Sequence, residues 1–362
     1  MTDETVWMLE PHTAAKHSIL RNYLAAWLPI MSKYNKRIMF FDGFAGPGIY
    51  KDGEPGSPVI ILDLLATHNY QQMLDQCEFV LLFNEVDPKR FAVLQDSIQN
   101  YLATHSPLHV NIKLELRNEN FSSLVNGIIG SLNGQPMKPV FAFVDPFGYR
   151  DISMTQLAEF LASSGSELFI YFDFNSVVRF GTAGNVDGAL SDLFGSNEFR
   201  NAPPSGDPER GQYFANLYER QLREVLGFPY IQRFEMRNRS GKTGNYLFFC
   251  TRNLAGLRAM KDSMWKIDPS GGFSFSDRLA GMDVLFGGAD DTTALQVALA
   301  QHFAGQTVSI ERVQEYVLTR TPYREAHVKR KTLVPMQKEG KISSPNQVRI
   351  GQFPDGTQIT FH

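Results

Sequence analysis

Apolar runs alternate with amphipathic stretches between residues 37 and 173, and this alternation is the strongest constraint on the fold. Short apolar runs bounded by turn residues predict strands, and apolar residues at helical spacing predict the helices between them. Strands that alternate with helices in this way predict a doubly wound, mainly parallel sheet. The predicted strands cover Arg37–Asp42, Phe79–Glu85, Val110–Leu116, Val140–Asp145 and Glu167–Asp173.

The alternation ends after the fifth predicted strand. Residues 176–228 are rich in Gly, Asn, Pro and charged side chains, which predicts a mostly helical insertion. Strand character returns at Tyr230–Met236 and Tyr246–Thr251, so residues 237–244 are predicted to form a hairpin loop. Five parallel strands closed by a hairpin are typical of the class I (Rossmann-like) methyltransferase fold, which is an α/β fold.

The pattern changes again after Gly287 and Gly288. We therefore predict a methyltransferase-like domain over residues 1–287 and a second domain over residues 288–362. A terminal strand pair is predicted around Asp355-Gly356. Three helices followed by such a pair predict a C-terminal winged helix-turn-helix domain. Its predicted helices cover Thr293–Phe303, Ser309–Val317 and Arg324–Lys338.

Composition narrows the class of protein. The formal net charge of -3 provides no overall basic field, so a nucleic-acid contact would have to use a local patch. Both cysteines, Cys77 and Cys250, lie in apolar runs, which predicts buried thiols in a reducing compartment and no cysteine-based metal site. No run approaches the ~20 apolar residues of a membrane helix. We expect a cytoplasmic protein with no membrane contact and no metal.

A glycine loop follows the first predicted strand, from Asp42 through Phe44 and Gly46 to Gly48. Glycine lets the backbone turn sharply, so that N–H groups and a helix N-terminus can face a ligand. A dinucleotide loop would need Gly-x-Gly-x-x-Gly, and Lys51 stands where its third glycine belongs. These four residues therefore predict a binding loop for S-adenosylmethionine (SAM), with Asp42 near its amino group, directly or through water. A purely structural turn is the alternative.

The next two predicted strands lead to residues that suit the ribose and the adenine of SAM. Glu85 closes the second strand, where a carboxylate can accept both ribose hydroxyls. Its separation from Asp42 exceeds the usual ~20 residues, and the turn at Gly53–Pro58 with the helix after it accounts for the excess. Asn120 and Phe121 are predicted to lie near the adenine, and capping of the next helix by Asn120 is the alternative.

The fourth predicted strand leads into Asp145-Pro146-Phe147-Gly148. Hydrogen bonds from an exocyclic amine to a carboxylate and to a backbone carbonyl favour a pyramidal nitrogen aimed at a methyl donor. Asp145 would accept these bonds, Pro146 would fix the carbonyl, and Phe147 would stack on a flipped base. A strand-end turn is the alternative. Cytosine-C5 transfer is disfavoured because it needs a nucleophilic cysteine at such a loop.

Lys16 and His17 are adjacent on a predicted helix over His12–Ile30. The lysine would be able to neutralise the SAM carboxylate, and the histidine would be able to reach the substrate. The alternative is that both are ordinary surface residues of an amphipathic helix.

Taken in order, these motifs resemble the three-Cys-motif partner (TcmP) family, which is regarded as SAM-methyltransferase-like. The resemblance spans nearly the whole chain. It implies a SAM site, a C-terminal winged-helix module and a partner protein with three clustered cysteines. The residues that carry it are Pro11–Leu20, Phe41–Gly48, Gly56–Pro58 and Val144–Gly148.

Two looser resemblances concern the reaction. Lys16-His17 and Ala45–Tyr50 are similar to a ribosomal-RNA adenine-N6 methyltransferase family, and Asp145–Gly148 is similar to tRNA guanine-N2 dimethyltransferases. Both resemblances imply a base amine of RNA as the acceptor, and the first implies that Lys16 and His17 belong to the site. The usual Asp-Pro-Pro-Tyr form is not kept, so Tyr149 competes with Phe147 as the stacking residue.

Basic residues concentrate in the predicted winged helix-turn-helix. Between Leu318 and Ile350 there are eight Lys or Arg and two acids, which indicates a local basic face for phosphate contacts. A docking surface for the partner protein, or a solvated helix, is the alternative. The residues predicted to bind nucleic acid are Arg324, Lys329, Arg330 and Lys331.

The sequence thus predicts a SAM-dependent methyltransferase that N-methylates a base amine of RNA or DNA. Two other functions stay open. One is a methyltransferase-like partner or specificity subunit with weak or no activity of its own. The other is a methyltransferase that acts on a peptide or a small molecule.

Overall fold

A mixed eight-stranded sheet is the framework of the computed structural model, which describes residues 5–105, 111–181, 186–268, 274–276 and 291–362. The strands, numbered along the chain, are β1 (Arg37–Asp42), β2 (Glu78–Asn84), β3 (Ile112–Arg117), β4 (Val140–Val144), β5 (Glu167–Phe172), β6 (Tyr230–Arg237), β7 (Thr243–Thr251) and β8 (Ser274–Ser276). Their order across the sheet is β3-β2-β1-β4-β5-β7-β6-β8.

Strands β1 to β5 pair in parallel, and β7 is antiparallel to both β5 and β6. The five predicted parallel strands agree with the structure to within two residues at each end. The β6–β7 hairpin closes the sheet, as expected. This order and polarity confirm the class I (Rossmann-like) methyltransferase fold.

Helices cover both faces of the sheet. The alternation of side chains along β1 explains this, because Phe40 and Phe41 point to opposite faces. Phe40 stacks on Phe141, which contacts Tyr23 of the first helix, whereas Phe41 contacts Phe160 on the other side. The helices of these layers are α1 (Pro11–Tyr34), α2 (Ser57–Thr67), α3 (Gln71–Leu74), α4 (Pro88–Thr104), α5 (Phe121–Ser131) and α6 (Met154–Phe160).

The stretch between β5 and β6 is mostly helical where the structure describes it, which agrees with the predicted insertion. Its core side chains, such as Phe194, Phe214 and Tyr218, are buried against Phe172 and the rest of the sheet. The elements are α7 (Phe174–Phe180), α8 (Asp187–Phe194), a 3-10 turn (Glu198–Asn201) and α9 (Arg210–Glu224), and α10 (Leu254–Ile267) follows β7.

A buried carboxyl group links α1, β5 and β7 at the edge of the sheet where the parallel strands begin. Glu167, at the start of β5, accepts hydrogen bonds from the Tyr23 hydroxyl at 2.5 Å and the Thr251 hydroxyl at 2.6 Å. Gly256 of α10 packs so closely that a Cβ atom there would lie 2.4 Å from the Glu167 carboxylate. Burial raises the pKa of Glu167 to about 7.

Contacts divide the chain into two units, Met1–Ser263 with Phe275–Ala280, and Met264–Ser274 with Gly281–His362. The boundary predicted between residues 287 and 288 lies outside the described residues and stays a prediction. The second unit contains α11 (Thr293–His302), β9 (Thr307–Ser309), α12 (Ile310–Arg320), a 3-10 turn (Glu325–His327), a π-helix (Val328–Leu333), α13 (Val334–Lys338), β10 (Ile342–Ser343) and β11 (Gln358–Phe361). The antiparallel strand order β10-β11-β9 confirms the predicted winged helix-turn-helix fold.

Two details of this second unit differ from expectation. The turn predicted at Asp355-Gly356 is present and β11 follows it, but among the described residues no strand directly precedes it. Phe353 turns into the core instead, and β11 pairs with β10 and β9. The helix predicted over Arg324–Lys338 is helical but not regular. Pro335 lacks the N–H that would bond to the Lys331 carbonyl, and the Thr292 hydroxyl donates to that carbonyl instead, at 2.6 Å.

The Glu167 carboxyl group predicts a specific pH dependence of stability. Its folded pKa of about 7 lies above the ordinary value of ~4.3. The folded protein therefore holds a proton that the unfolded chain loses, so the free energy of unfolding falls as pH rises through this interval and levels off above it. Glu167→Gln removes this contribution, and should reduce the loss of stability between about pH 5 and pH 8 by about 1–3 kcal/mol.

Urea unfolding at several pH values measures this effect. Glu224→Gln is the matched control, because Glu224 is an exposed carboxylate at the end of α9. Parallel pH profiles for wild type and Glu167→Gln would contradict the account.

Candidate active site

The loop after β1 is held in a sharply turned conformation. Gly46 and Gly48 have φ angles of 61° and 75°, in the left-handed region that favours glycine. The amide of Gly56 donates to the Gly48 carbonyl at 2.9 Å, so the loop closes against the start of α2. The close packing of the Phe121 ring requires a glycine at position 43, because a Cβ atom on Gly43 would lie 2.5 Å from that ring.

The carboxylate of Asp42 holds this loop through two hydrogen bonds. It is completely buried, and it accepts hydrogen bonds from the Phe44 amide at 3.2 Å and from the Ser57 hydroxyl at 2.6 Å. Burial raises the pKa of Asp42 to about 7. Both oxygens are engaged within the loop, so a direct bond from Asp42 to a ligand amine would have to share these positions with Ser57 or Phe44.

Glu85 lies directly after β2 and is almost completely buried. Its Oε1 atom accepts from the Asp87 amide at 2.8 Å and from Arg90 Nε at 3.1 Å. Asp87 in turn caps α4 by accepting from the amides of Lys89 and Arg90. Among the described contacts both bonds go to Oε1. Contact of Glu85 with a ribose stays a prediction.

The two residues predicted near the adenine support the loop in the structure. Asn120 caps α5 by accepting from the amides of Ser122 and Ser123, which is the alternative noted for it. Phe121 is 2% exposed and stacks on Phe44 with ring centres 5.0 Å apart. Their contact with a cofactor stays a prediction.

Asn84 joins these loops and was missed by the sequence reasoning. Its amide nitrogen donates to the carbonyls of Gly43 and Glu119, and its oxygen accepts from the Glu119 amide. An asparagine inside an apolar strand, next to the glutamate already singled out, was the available signal, because a buried amide must find partners.

The carboxylate of Asp145 forms an ion pair with Lys16, which projects from α1. The lysine is buried, and its Nζ atom also lies 5.1 Å from the centre of the Tyr171 ring. Lys16 is therefore not an ordinary surface residue. The pair joins α1 to the end of β4 and provides a charged group next to the glycine loop.

The turn after Asp145 decides which aromatic residue faces outward. Gly148 has a φ of 103°, and after it Tyr149 enters the core with 8% exposure, whereas Phe147 is 67% exposed. The Phe147 ring lies 5.7 Å from the ring of Trp7 and 5.1 Å from the guanidinium of Arg90. Phe147, and not Tyr149, is thus available for stacking.

His17 is buried beside this pair as a neutral imidazole. Burial, helped by the positive charges of Lys16 and Arg21, lowers its pKa to about 3. Its Nδ1 atom has no hydrogen-bond partner among the described residues, and its ring lies 5.6 Å from that of Tyr50. A buried polar atom without a partner favours a ligand that would supply one.

A cavity of about 150 Å³ connects several of these groups. Of the predicted residues, those that line it are Lys16, His17, Phe44, Gly46, Gly48, Asp145, Pro146 and Phe147. Trp7 and Tyr171 also line it, and the sequence reasoning missed them because only tertiary contacts bring them to the site. Tyr50 and Ser57, which stand in the motifs Ala45–Tyr50 and Gly56–Pro58, line it as well. Asp42, Glu85, Asn120 and Phe121 surround the loop without lining the cavity.

The predicted basic residues of the second unit differ in their surroundings. Arg330 is exposed, Lys329 lies 3.7 Å from Asp355, and Lys331 is half-buried. The guanidinium of Arg324 lies 5.3 Å from the ring centre of Trp265, a residue that the sequence reasoning did not single out. Their contact with nucleic acid stays a prediction.

Within the described ranges the structure offers neither a metal site nor a membrane span. No group of three His, Cys, Asp or Glu side chains in those ranges is placed to hold a metal ion. None of the helices that the structure describes is both long and apolar enough to span a bilayer. Both cysteines are buried free thiols.

One family model matches a part of the chain near its C-terminal end. Residues 274–348 match the model of the GMT-like wHTH domain. No curated protein matches the chain.

Solved structures that resemble this chain include the following three. Trm1 from Pyrococcus horikoshii, in complex with S-adenosyl-L-methionine, is 12% identical, with 99% of this chain and 92% of that chain covered and a TM-score of 0.36. Trm5b from Pyrococcus abyssi is 10% identical over 69% and 52%, with a TM-score of 0.31. A putative class I SAM-dependent methyltransferase from Listeria monocytogenes is 10% identical over 68% and 63%, with a TM-score of 0.33. At these values the neighbours do not bear on the chemistry of the site.

The hydrogen bond between Ser57 and Asp42 leads to a stability prediction. Ser57→Ala leaves a buried carboxylate oxygen without a donor, which should lower the free energy of unfolding by about 1–3 kcal/mol. Ser131→Ala is the control, because that hydroxyl also donates, to the Ile128 carbonyl, but at an exposed position. Equal decreases for the two variants in urea unfolding would contradict the role given to Ser57.

Proposed function

We propose that the first unit is a SAM-dependent methyltransferase that N-methylates a base amine of RNA or DNA. The observation that carries the proposal is the position of the Asp145 carboxylate. It lies in one cavity with the left-handed glycine loop, and an exposed aromatic ring follows it two residues later. A methyl donor on the loop and a flipped base on the ring would meet at this carboxylate.

The residues present fit SAM. The left-handed glycines free loop N–H groups, and the start of α2 at Ser57 adds its dipole, for the carboxylate of the cofactor. Lys16 adds a positive charge beside them, and Glu85 offers Oε2 to the ribose. When bound, SAM supplies an electrophilic methyl group on a sulfonium.

Asp145 and its neighbours fit an amine acceptor. A carboxylate that accepts from the amine, with the carbonyl before Pro146, would hold the nitrogen lone pair toward the methyl donor. Lys16 already donates to this carboxylate, so the incoming amine must share it or displace the lysine.

The aromatic mouth of the cavity supports a nucleic-acid base over other acceptors. Trp7 lies within ring-contact distance of both Tyr50 and Phe147, at 6.3 and 5.7 Å. Flat rings around a carboxylate suit a base that is stacked and hydrogen-bonded at its edge. An aliphatic amine would need no such rings.

The second unit supports the same substrate class. A winged helix-turn-helix with exposed basic residues such as Arg330 and Lys338 is suited to phosphate contacts. Membership of the TcmP family, with a three-Cys partner protein, belongs to the proposal as well, on the resemblance of the motifs.

The runner-up is a methyltransferase-like partner or specificity subunit of weak or no activity. One observation favours this runner-up: Lys16 pairs with the Asp145 carboxylate that the acceptor amine would need. A methyltransferase of peptides or small molecules is the third candidate, and the described features favour it least.

Loss of SAM binding on loop disruption is the first test. Asp42→Ala removes the anchor of the loop and should abolish SAM binding in isothermal titration calorimetry of the full chain. Asp192→Ala, at an exposed position of α8, is the control and should bind as wild type does. Near-native affinity of a folded Asp42→Ala protein would refute the loop assignment.

Transfer of labelled methyl groups separates the three candidates. Wild type with methyl-labelled SAM should label bulk RNA or DNA, and Asp145→Ala should lose transfer while SAM binding persists, because the proposal places SAM on the glycine loop, Lys16 and Glu85 and the acceptor on Asp145. Label in protein or in small molecules would favour the third candidate. SAM binding without transfer to any acceptor would favour the runner-up.

A further inference from the structure

A second polar cavity opens in the first unit, next to the helical insertion. Its volume is about 580 Å³, and it lies between α7, the loop before α9 and the β6–β7 hairpin. The lining is rich in hydrogen-bond donors, from the side chains of Asn175, Ser176, Arg179, Ser205, Arg210 and Asn238.

This cavity lies at the same edge of the sheet as Asp145. Strands β4 and β5 are parallel neighbours, and Val144 pairs with Ile170, so Asn175 follows β5 as Asp145 follows β4. Strand β7 begins at this edge, because it is antiparallel to β5. A Cβ atom on Gly244 would lie 3.7 Å from the Asn175 amide nitrogen, so the hairpin borders the cavity.

The hairpin loop presents two cations in a fixed conformation. The Asn238 side chain accepts from the amides of Ser240 and Lys242, at 3.0 and 3.1 Å, and folds the loop on itself. Arg239 and Lys242 are exposed on this loop. Within the ranges that the structure describes, no salt bridge engages either of them, whereas the neighbouring Arg237 pairs with Glu235.

A third cation, Arg210, forms part of the wall. The residue is 2% exposed, its guanidinium donates to the carbonyls of Val178 at 2.9 Å and Pro203 at 2.5 Å, and it lies over the Phe214 ring. Burying a charge costs free energy unless partners compensate, so this arginine is held firmly in place. Exposed Arg179 lies beside it, at the end of α7.

The chemistry of this group suits a phosphodiester. Guanidinium groups bind phosphate oxygens in pairs, and amide and hydroxyl donors complete their coordination. Asp207 is the one acidic side chain among the described lining residues, so the cavity favours an anion. The Phe180 ring is 43% exposed under Arg179, at 5.8 Å, and provides a surface for a base, which an acidic peptide would not require.

We propose that Arg179, Arg210, Arg239 and Lys242 form a basic cleft that binds the phosphodiester backbone of a nucleic-acid substrate one strand away from Asp145. This inference rests on the proposed function and assigns backbone binding to the methyltransferase unit itself. If the cleft holds the backbone of one nucleotide, the next nucleotide of the same RNA or DNA chain would reach the Asp145 cavity.

Neutralisation of the hairpin cations tests the cleft. The measurement is the affinity of the full chain for a fluorescein-labelled RNA of about 16 nucleotides, by anisotropy at several salt concentrations. Arg239→Gln with Lys242→Gln should weaken binding and reduce the salt slope by about 1.4, because each phosphate that a cation neutralises on a single strand adds ~0.7 to the slope. Lys33→Gln with Lys36→Gln is the matched control, because these exposed lysines at the opposite edge remove the same charge.

Three results would overturn the proposal: an unchanged slope for the hairpin pair, an equal drop for the control pair, or no binding of RNA by wild type. A preference of the cleft for polyglutamate over RNA would overturn it in favour of an acidic protein partner. Arg179→Gln provides a second variant outside the hairpin and should act in the same direction. SAM affinity, measured in parallel, should be unchanged in all variants, so failure of the cleft is distinguishable from failure of the SAM assignment.

Discussion

The parallel pairing of β1 with β2 and β4 is the constraint on which the site depends. Asp42 pairs with Phe83 on one side and with Phe143 on the other, so the three strands end together. Asp42, Glu85 and Asp145, which are far apart in sequence, converge at one edge because the carboxyl ends of parallel strands share it. A slip of one residue would turn β1 over and move Asp42 out of the loop.

Burial and the neighbouring charges of Asp145 and Lys16 together set the pKa of Asp42. The Asp42 and Asp145 carboxylates lie near each other, and Lys16 lies near both, so the negative charge of Asp145 raises the pKa of Asp42 and Lys16 lowers it. Burial is the larger cause and brings this pKa to about 7.

The sequence was sufficient to predict the sheet and the positions of Asp42, Glu85 and Asp145, because an apolar run that ends in a carboxylate is a local pattern. It was insufficient where a role depends on tertiary contacts. Phe121 was predicted to lie near the adenine, but in the structure its ring packs on Gly43 and is covered by Phe44, and only the packing reveals this. The choice between Phe147 and Tyr149 follows from the φ of Gly148, which the sequence motif does not state. Trp7 and Tyr171 have no local signal of function.

The central claim is that the glycine loop and the Asp145 cavity together form one SAM-binding catalytic site. A crystal structure with S-adenosylhomocysteine, the product of methyl transfer, tests it most directly. The account predicts density for the amino-acid end along Gly46–Gly48, the ribose at Glu85 and the sulfur facing the cavity of Asp145. Ordered product at another edge of the sheet, or an unaltered loop without density at saturating product, would contradict it.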